Sequence, residues 1–446
     1  MDRYNKMMTS LSGWGRLSVL TILLLAGSLG GCSGLFDVEN PNQVLRDDLD
    51  NPAAASAVAN GALSTVARGV ASAVLPISVV GDELRWVGSY DTGKELEQGI
   101  LWHAQNNYTT SAYSGLAVGR WMADEAIEIL SGLEEEGLLP DLNDLARSYL
   151  YAAIAYTMAA DIFEDFTLSD GREPGPPIGK ERMYTLYEKA IEYLTEGMAI
   201  ADATGESELY ATLLAVRARA HHAYGVWKKV HQGTPGGDPL VSEPGAVQDA
   251  EEFLSRSLAD DWAFRFTYSV NTISNSMSGE TNERQEFRIG DRYIEPDASG
   301  KRVGAVIMED PIDGLVDPVL SRAVNEFSGA RRYAPLTVTS SREMRLILAE
   351  AALADGDPVK AAEHLNAIRA LDGLSPYEDQ IELVELLRHM RIVNLFLQGR
   401  RLSDMYRFGE VSEHWLEDSQ AALQPGAKLP ISELEQNANC HIVGIC

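Results

Sequence analysis

Apolar residues recur at three- and four-residue steps over most of the chain, the spacing that lines one face of an α-helix. Tyr184, Tyr187, Ile191, Leu194 and Met198 mark one such face, and Ala203-Thr204-Gly205 breaks it. Tyr210, Leu213, Leu214, Ala218, Ala220, Tyr224 and Trp227 mark the next, so residues 183–227 predict an αα-hairpin. A second hairpin is predicted over 340–370. There Ser340 and Glu343 form a capping-box pattern, Met344, Ile347, Leu348 and Ala351 supply the face, Gly356 ends the helix and Asp357-Pro358 starts its partner. Further helices are predicted over 53–74, 115–130, 142–162 and 381–397, with Asn51 placed to cap the first ahead of Pro52. The pattern reads as an all-α fold of degenerate tetratricopeptide-type helix hairpins, at about 142–227 and 340–397.

Two stretches break the helical period. Residues 231–245 (HQGTPGGDPLVSEPG) are rich in Gly and Pro, and residues 268–335 are polar with scattered short apolar runs. Together they predict a loop-rich insert over about 231–335, and long irregular loop regions in a helical scaffold are natural places for a ligand surface.

The N-terminus reads differently again. Arg3, Lys6 and Arg16 precede the apolar run LSVLTILLLA at 17–26, which is too short to span a bilayer and suits the core of an export signal. It ends in Leu29-Gly30-Gly31-Cys32, which resembles the bacterial lipobox, so residues 1–31 are expected to be a lipoprotein signal peptide and Cys32 the acylated residue. Two or three acyl chains would tether the protein firmly, and no later apolar stretch is expected to cross a membrane. Ser33 after the cysteine leans towards sorting to the outer membrane.

Composition narrows the function. The 446 residues carry 37 basic and 66 acidic side chains, a net charge of −29, and cleavage after Gly31 would remove a net +2 to leave −31. Such a chain is unsuited to nucleic acid, whose binding needs Lys and Arg to displace counterions. Only nine basic residues are Lys, a balance resembling that of proteins adapted to saline water. Three cysteines leave no cluster for structural zinc, and no cofactor is expected. Cys440 and Cys446 are candidates for a small disulfide loop in an exported protein.

Few motifs suggest chemistry. Gly88 to Lys94 (GSYDTGK) has a phosphate-loop skeleton, but Glu95 stands where magnesium binding needs Ser or Thr, and a plain loop is expected. His221 and His222 are adjacent on a predicted helix, point about 100° apart and cannot clamp one metal. Asp310, Asp313 and Asp317 offer oxygens to calcium, but without EF-hand spacing they read as a solvated acidic turn. The aromatics Trp86, Tyr90, Trp102, Tyr108, Tyr113 and Trp121 cluster where helical periodicity is weak. Sugar rings stack on Trp and Tyr while amides and carboxylates hold their hydroxyls. Trp86, Tyr90 and Trp102, with Asp82, Glu83 and Asn106 nearby, are therefore candidate ligand residues; Trp262 and Tyr268 are a second such pair.

Several segments, in order, resemble the SusD/RagB family of outer-membrane nutrient-binding lipoproteins. These are FDVENPNQV after Cys32, Gly81-Asp82-Glu83, the run from Leu348-Ala349-Glu350-Ala351 to Leu365-Asn366-Ala367-Ile368-Arg369, then Phe396, Gly399, Arg401 and Asp404, and finally Lys428, Pro430, Ile431, Glu435 and Asn439. The middle third has no such match. The resemblance implies a SusD-like domain over 32–446 that is not an enzyme, sits lipid-anchored on the outer membrane, and hands an oligosaccharide or other nutrient to a SusC-like TonB-dependent barrel transporter. The competing expectations are a helical-repeat lipoprotein scaffold in envelope assembly and a glycan-degrading enzyme. On spacing alone, Arg400 and Arg401 after Gly399 would lie near a helix C-terminus, with Asp404 one turn from Arg400.

Overall fold

The computed structural model describes residues 51–446 apart from 171, 172, 235, 257 and 445. The export signal and Cys32 lie outside the described residues. Asn51 accepts the Ala53 N–H, as its place before Pro52 requires, and after one tight turn helix α1 (Ala55–Val80) begins. There follow α2 (Asp91–Glu97), α3 (Asn107–Glu135), α4 (Leu142–Ile162), α5 (Thr185–Thr204), α6 (Ser207–Gln232) and α7 (Pro244–Ser255). The second half holds α8 (Pro318–Gly329), α9 (Ser341–Ala354), α10 (Pro358–Leu371), α11 (Leu383–Asn394) and α12 (Arg401–Phe408), then short helical turns.

Helix α1 packs on α3, and α3 to α7 then pack each on the next; α7 leans on α9, which pairs with α10. The α5–α6 turn is made by Gly205 in the left-handed region (φ 75°), as the Ala-Thr-Gly break predicted. Helices α1 and α3 cross closely: a Cβ on Gly69 would lie 2.5 Å from the Gly115 carbonyl oxygen. The segment Pro52–Val80 is long and apolar enough to cross a membrane, which corrects the expectation that no such stretch follows the signal. It is instead a core helix: Val66, Val70, Val74 and Ile77 are buried, so its apolar surface is spent on α3 and α4.

The stretch expected to be all loop is not. It carries α7, α8 and strands of three short antiparallel ribbons: β3 (Phe287–Ile289) pairs with β1 (Leu84–Trp86) and β2 (Ala263–Phe266) with β6 (Leu336–Ser340), both partners lying outside it, and β4 (Ile294–Pro296) pairs with β5 (Val303–Val306) within it. Strands of three to five residues are too short to show a period of two in sequence.

Three further expectations change. Asp91–Glu97 of the GSYDTGK region is helix α2, not loop. Arg400 and Arg401 open helix α12 rather than close one, and the Asp404 carboxylate takes Arg391 and Arg407 instead of Arg400. Asp310, Asp313 and Asp317 are no solvated turn. Asp310 grips Arg369 through two bonds (2.7 and 3.0 Å), Asp313 takes the same guanidinium at 3.0 Å, and Asp317 caps α8 and meets His389 at 2.8 Å. Arg369 thus brings one positive charge to the Asp310 and Asp313 carboxylates. His222 is buried and bonded to Glu350 at 3.0 Å, and Cys440 and Cys446 are disulfide-bonded.

Candidate functional site

Helix α1 ends at Val80, and the chain reverses through Asp82, whose φ of 62° is rare for a residue with a side chain. The strain is held in place by three bonds: Arg401 donates twice to the Asp82 carboxylate (3.1 and 3.0 Å), and the Tyr293 hydroxyl donates once (2.9 Å). Beside it, Glu83 accepts from the Leu397 N–H (2.7 Å) and the Ser78 hydroxyl (2.9 Å) in a buried position. Burial raises the Glu83 carboxyl to about 7, against the opposing pull of those two bonds and of Arg401. Asp82 and Glu83 are thus the clamp that launches β1.

Strand β1 pairs with β3 in the register Leu84 with Ile289, Arg85 with Arg288 and Trp86 with Phe287. Trp86 is half-buried; its backbone N–H donates to Glu97 (3.0 Å). Gly93 of α2 lies so near that a Cβ there would be 2.7 Å from the Trp86 ring. Between β1 and α2 the chain wraps Glu286: the Ser89 N–H (2.8 Å), the Ser89 hydroxyl (3.2 Å) and the Tyr90 N–H (3.3 Å) all donate to its carboxylate. A Cβ at Gly88 would fall on that carboxylate, so only glycine fits. The phosphate-loop skeleton therefore cradles an anion of the chain's own.

Two aromatics flank α2. Tyr90 immediately precedes it and is 44% exposed; Arg284 lies 5.3 Å from its ring centroid and donates to its hydroxyl at 3.1 Å. Arg284 is held in turn by Glu280 (2.8 Å), which also accepts from Tyr108 (3.4 Å). Glu280 sits in a π-turn over Gly279–Glu283, a wide backbone turn often found at functional positions. Burial raises its carboxyl pKa, and raises that of Tyr108 as well. Beyond α2, Trp102 is 63% exposed with its ring 4.3 Å from His103, which meets Glu95 of α2 at 3.2 Å. Asn106 is buried: its oxygen caps α3 at Tyr108 and Thr109, and its amide donates to the Thr92 carbonyl (2.7 Å) and to Glu95 (3.2 Å).

The fold thus brings Trp86, Tyr90, Trp102 and Asn106 around one short helix, with Asn106 as its fastening. Tyr268 and Trp262 do not join them. The Tyr268 hydroxyl is buried on the Ala67 carbonyl at 2.8 Å, and the Trp262 ring lies against Phe253 at 5.0 Å. Asp82, Glu83, Asn106 and Tyr268 each make hydrogen bonds within the framework. Glu280, Arg284 and Glu286 are the residues missed: nearly 200 residues separate them from Tyr90, and no local pattern joins them.

Residues 342–436 match the sequence model of the SusD family. No curated protein matches the chain. Among solved structures, a SusD superfamily protein from Parabacteroides distasonis aligns over 90% of this chain and 98% of its own with a TM-score of 0.60 at 12% identity. One from Bacteroides fragilis aligns over 88% and 99% with a TM-score of 0.60 at 15% identity. A protein from Bacteroides vulgatus described as a SusD-like carbohydrate binding protein aligns over 81% and 84% with a TM-score of 0.51 at 12% identity. Its C-terminal part is thus similar in sequence to the SusD family, and its described residues share the mostly helical fold of solved SusD superfamily proteins.

Proposed function

We propose that residues 32–446 form a surface nutrient-binding lipoprotein, anchored in the outer membrane through Cys32 after removal of residues 1–31. In this reading it captures an oligosaccharide on the face of Trp86, Tyr90 and Trp102 and delivers it to a SusC-like TonB-dependent transporter. One observation carries it: two aromatic rings, 44% and 63% exposed, flank a helix that is clamped to its surroundings at both ends. Rigid, partly exposed aromatics lose little entropy on binding, and their faces match the C–H faces of pyranose rings. The name of the Bacteroides vulgatus relative supports carbohydrate as the cargo class. No bond is made or broken on this reading; Arg284, Glu280 and Lys94 would hold hydroxyls at the rim.

Titration calorimetry against a panel of oligosaccharides and peptides tests it. The expected result is binding of a glycan without products, weakened at least about tenfold in Trp102→Ala. Turnover of the glycan, or equal affinity in Trp102→Ala and Tyr90→Ala, would overturn it. Affinity purification from native membranes should recover a large barrel partner, and mass spectrometry an acylated Cys32.

A further inference from the structure

Away from the aromatic face, a cavity of about 40 Å³ lies where the end of α4, α6, α9, α11 and the start of α12 converge with Lys428. The charged groups on its wall are Arg219, Arg391, Arg400 and Lys428 against Asp161, Glu343 and Asp404. That is four cations to three carboxylates before any histidine is counted.

The carboxylates are already committed. Asp161 accepts from Tyr187 and from Arg219 (2.8 Å each), Glu343 from Arg400 (3.1 Å), and Asp404 from Arg391 (2.8 Å). Two cations are left short of partners. Arg219 is 2% exposed, and its Nε and Nη1 have no hydrogen-bond partner among the described residues. Lys428 is 5% exposed, and one of its three N–H groups reaches the Ala160 carbonyl in the last turn of α4.

Its neighbours register the excess charge. Burial lowers Lys428 to about 8 against the upward pull of the Asp161 carboxylate, while burial together with the Lys428 charge pushes His231 down to about 4. Burial and the nearby Arg219 likewise lower Arg400. Water would fill the unpaired donors but leave the charge standing, and an uncompensated buried charge costs several kcal/mol. A volume of 40 Å³ admits about two or three water-sized particles, too few for a sugar ring or a phosphate ester.

We propose that this cavity binds one small monovalent anion of the halide class, chloride in solution, held by Arg219 and Lys428. The anion completes the seam between the C-terminal segment around Lys428 and the α4–α6 pair. The proposal does not depend on what the aromatic face binds.

Crystals of the full chain grown in sodium bromide test it directly. An anomalous bromide peak within hydrogen-bond distance of Arg219 and Lys428 is expected, and density fitting only water there overturns it. In solution, melting at constant ionic strength should rise saturably by about 2–4 °C as sodium chloride replaces sodium gluconate, whose anion is too large to enter. Lys428→Met removes the unmatched charge at similar volume and should abolish that rise. Identical melting in the two salts, or an undiminished rise in Lys428→Met, overturns the proposal. If that variant fails to fold, the bromide map decides alone.

Discussion

In the second half of the molecule, Glu350 of α9 is fully buried and accepts from the Val241 N–H (2.9 Å), His222 (3.0 Å), Arg391 (3.3 Å) and Arg407. Arg391 and Arg407 close the ring on Asp404. At the α2 face, by contrast, Arg284 and Glu280 are partly exposed and their bonds hold aromatic rings at the surface. Both regions use Arg and Glu. In the buried one the Glu350 carboxylate is saturated internally and has no bonding capacity to spare. The exposed one spends its charges on posture and leaves ring area open. Burial and complete pairing, rather than residue type, separate scaffold from candidate site here.

The sharpest way to break the contrast is Glu350→Ala. Burial opposes ionisation of Glu350, but Arg407, His222 and Arg391 outweigh it and hold its pKa well below the usual carboxylate range. Removing it leaves the buried Arg391 and Arg407 guanidinium groups to share the single carboxylate of Asp404, and denaturant unfolding should show a loss of about 3–5 kcal/mol.

Next comes Glu83, whose pKa is raised to about 7 in the folded state from 4.5 for a free glutamate carboxyl. A raised carboxylate pKa means the folded state holds the proton more tightly. The stabilisation is complete below pH 4.5 and lost as pH rises through 7. Unfolding at pH 5 and pH 8 should therefore show wild type losing up to about 3 kcal/mol relative to Glu83→Gln as pH rises.

Smaller in stability but decisive for function is Trp102→Ala. At 63% exposure it should change unfolding free energy by less than about 0.5 kcal/mol while weakening glycan binding at least about tenfold. A variant that lost stability and binding together would erase the distinction between the two regions. The smallest effect concerns the whole surface: with a net charge of −29, melting should rise between low and molar salt as self-repulsion is screened.

Much of the helical framework was legible because periodicity and caps agree. Helix α4 spans Leu142–Ile162 as predicted. Ser340 caps α9 by accepting the Glu343 N–H at 3.2 Å, although Arg400, not the Ser340 backbone, takes the Glu343 side chain. Tyr90 and Trp102 are exposed and Trp86 half-buried, in a stretch where helical periodicity in the sequence is weak. What could not be read was whatever depends on distant pairing. Asp82 and Glu83 look like surface acids until Arg401 and Leu397, more than 300 residues away, bury them. Asp310 looks solvated until Arg369 arrives from α10. The ribbons escape because three residues cannot declare a period.

The clasp of Ser89 and Tyr90 on Glu286 has one more implication. A tethered carboxylate competes for those amides at an effective concentration in the millimolar range or above, and it never diffuses away. Any sulfated or phosphorylated visitor would have to evict this resident to reach them. The loop is thereby self-inhibited towards anions, which on the proposed reading would bias the adjoining rings towards electrically neutral cargo.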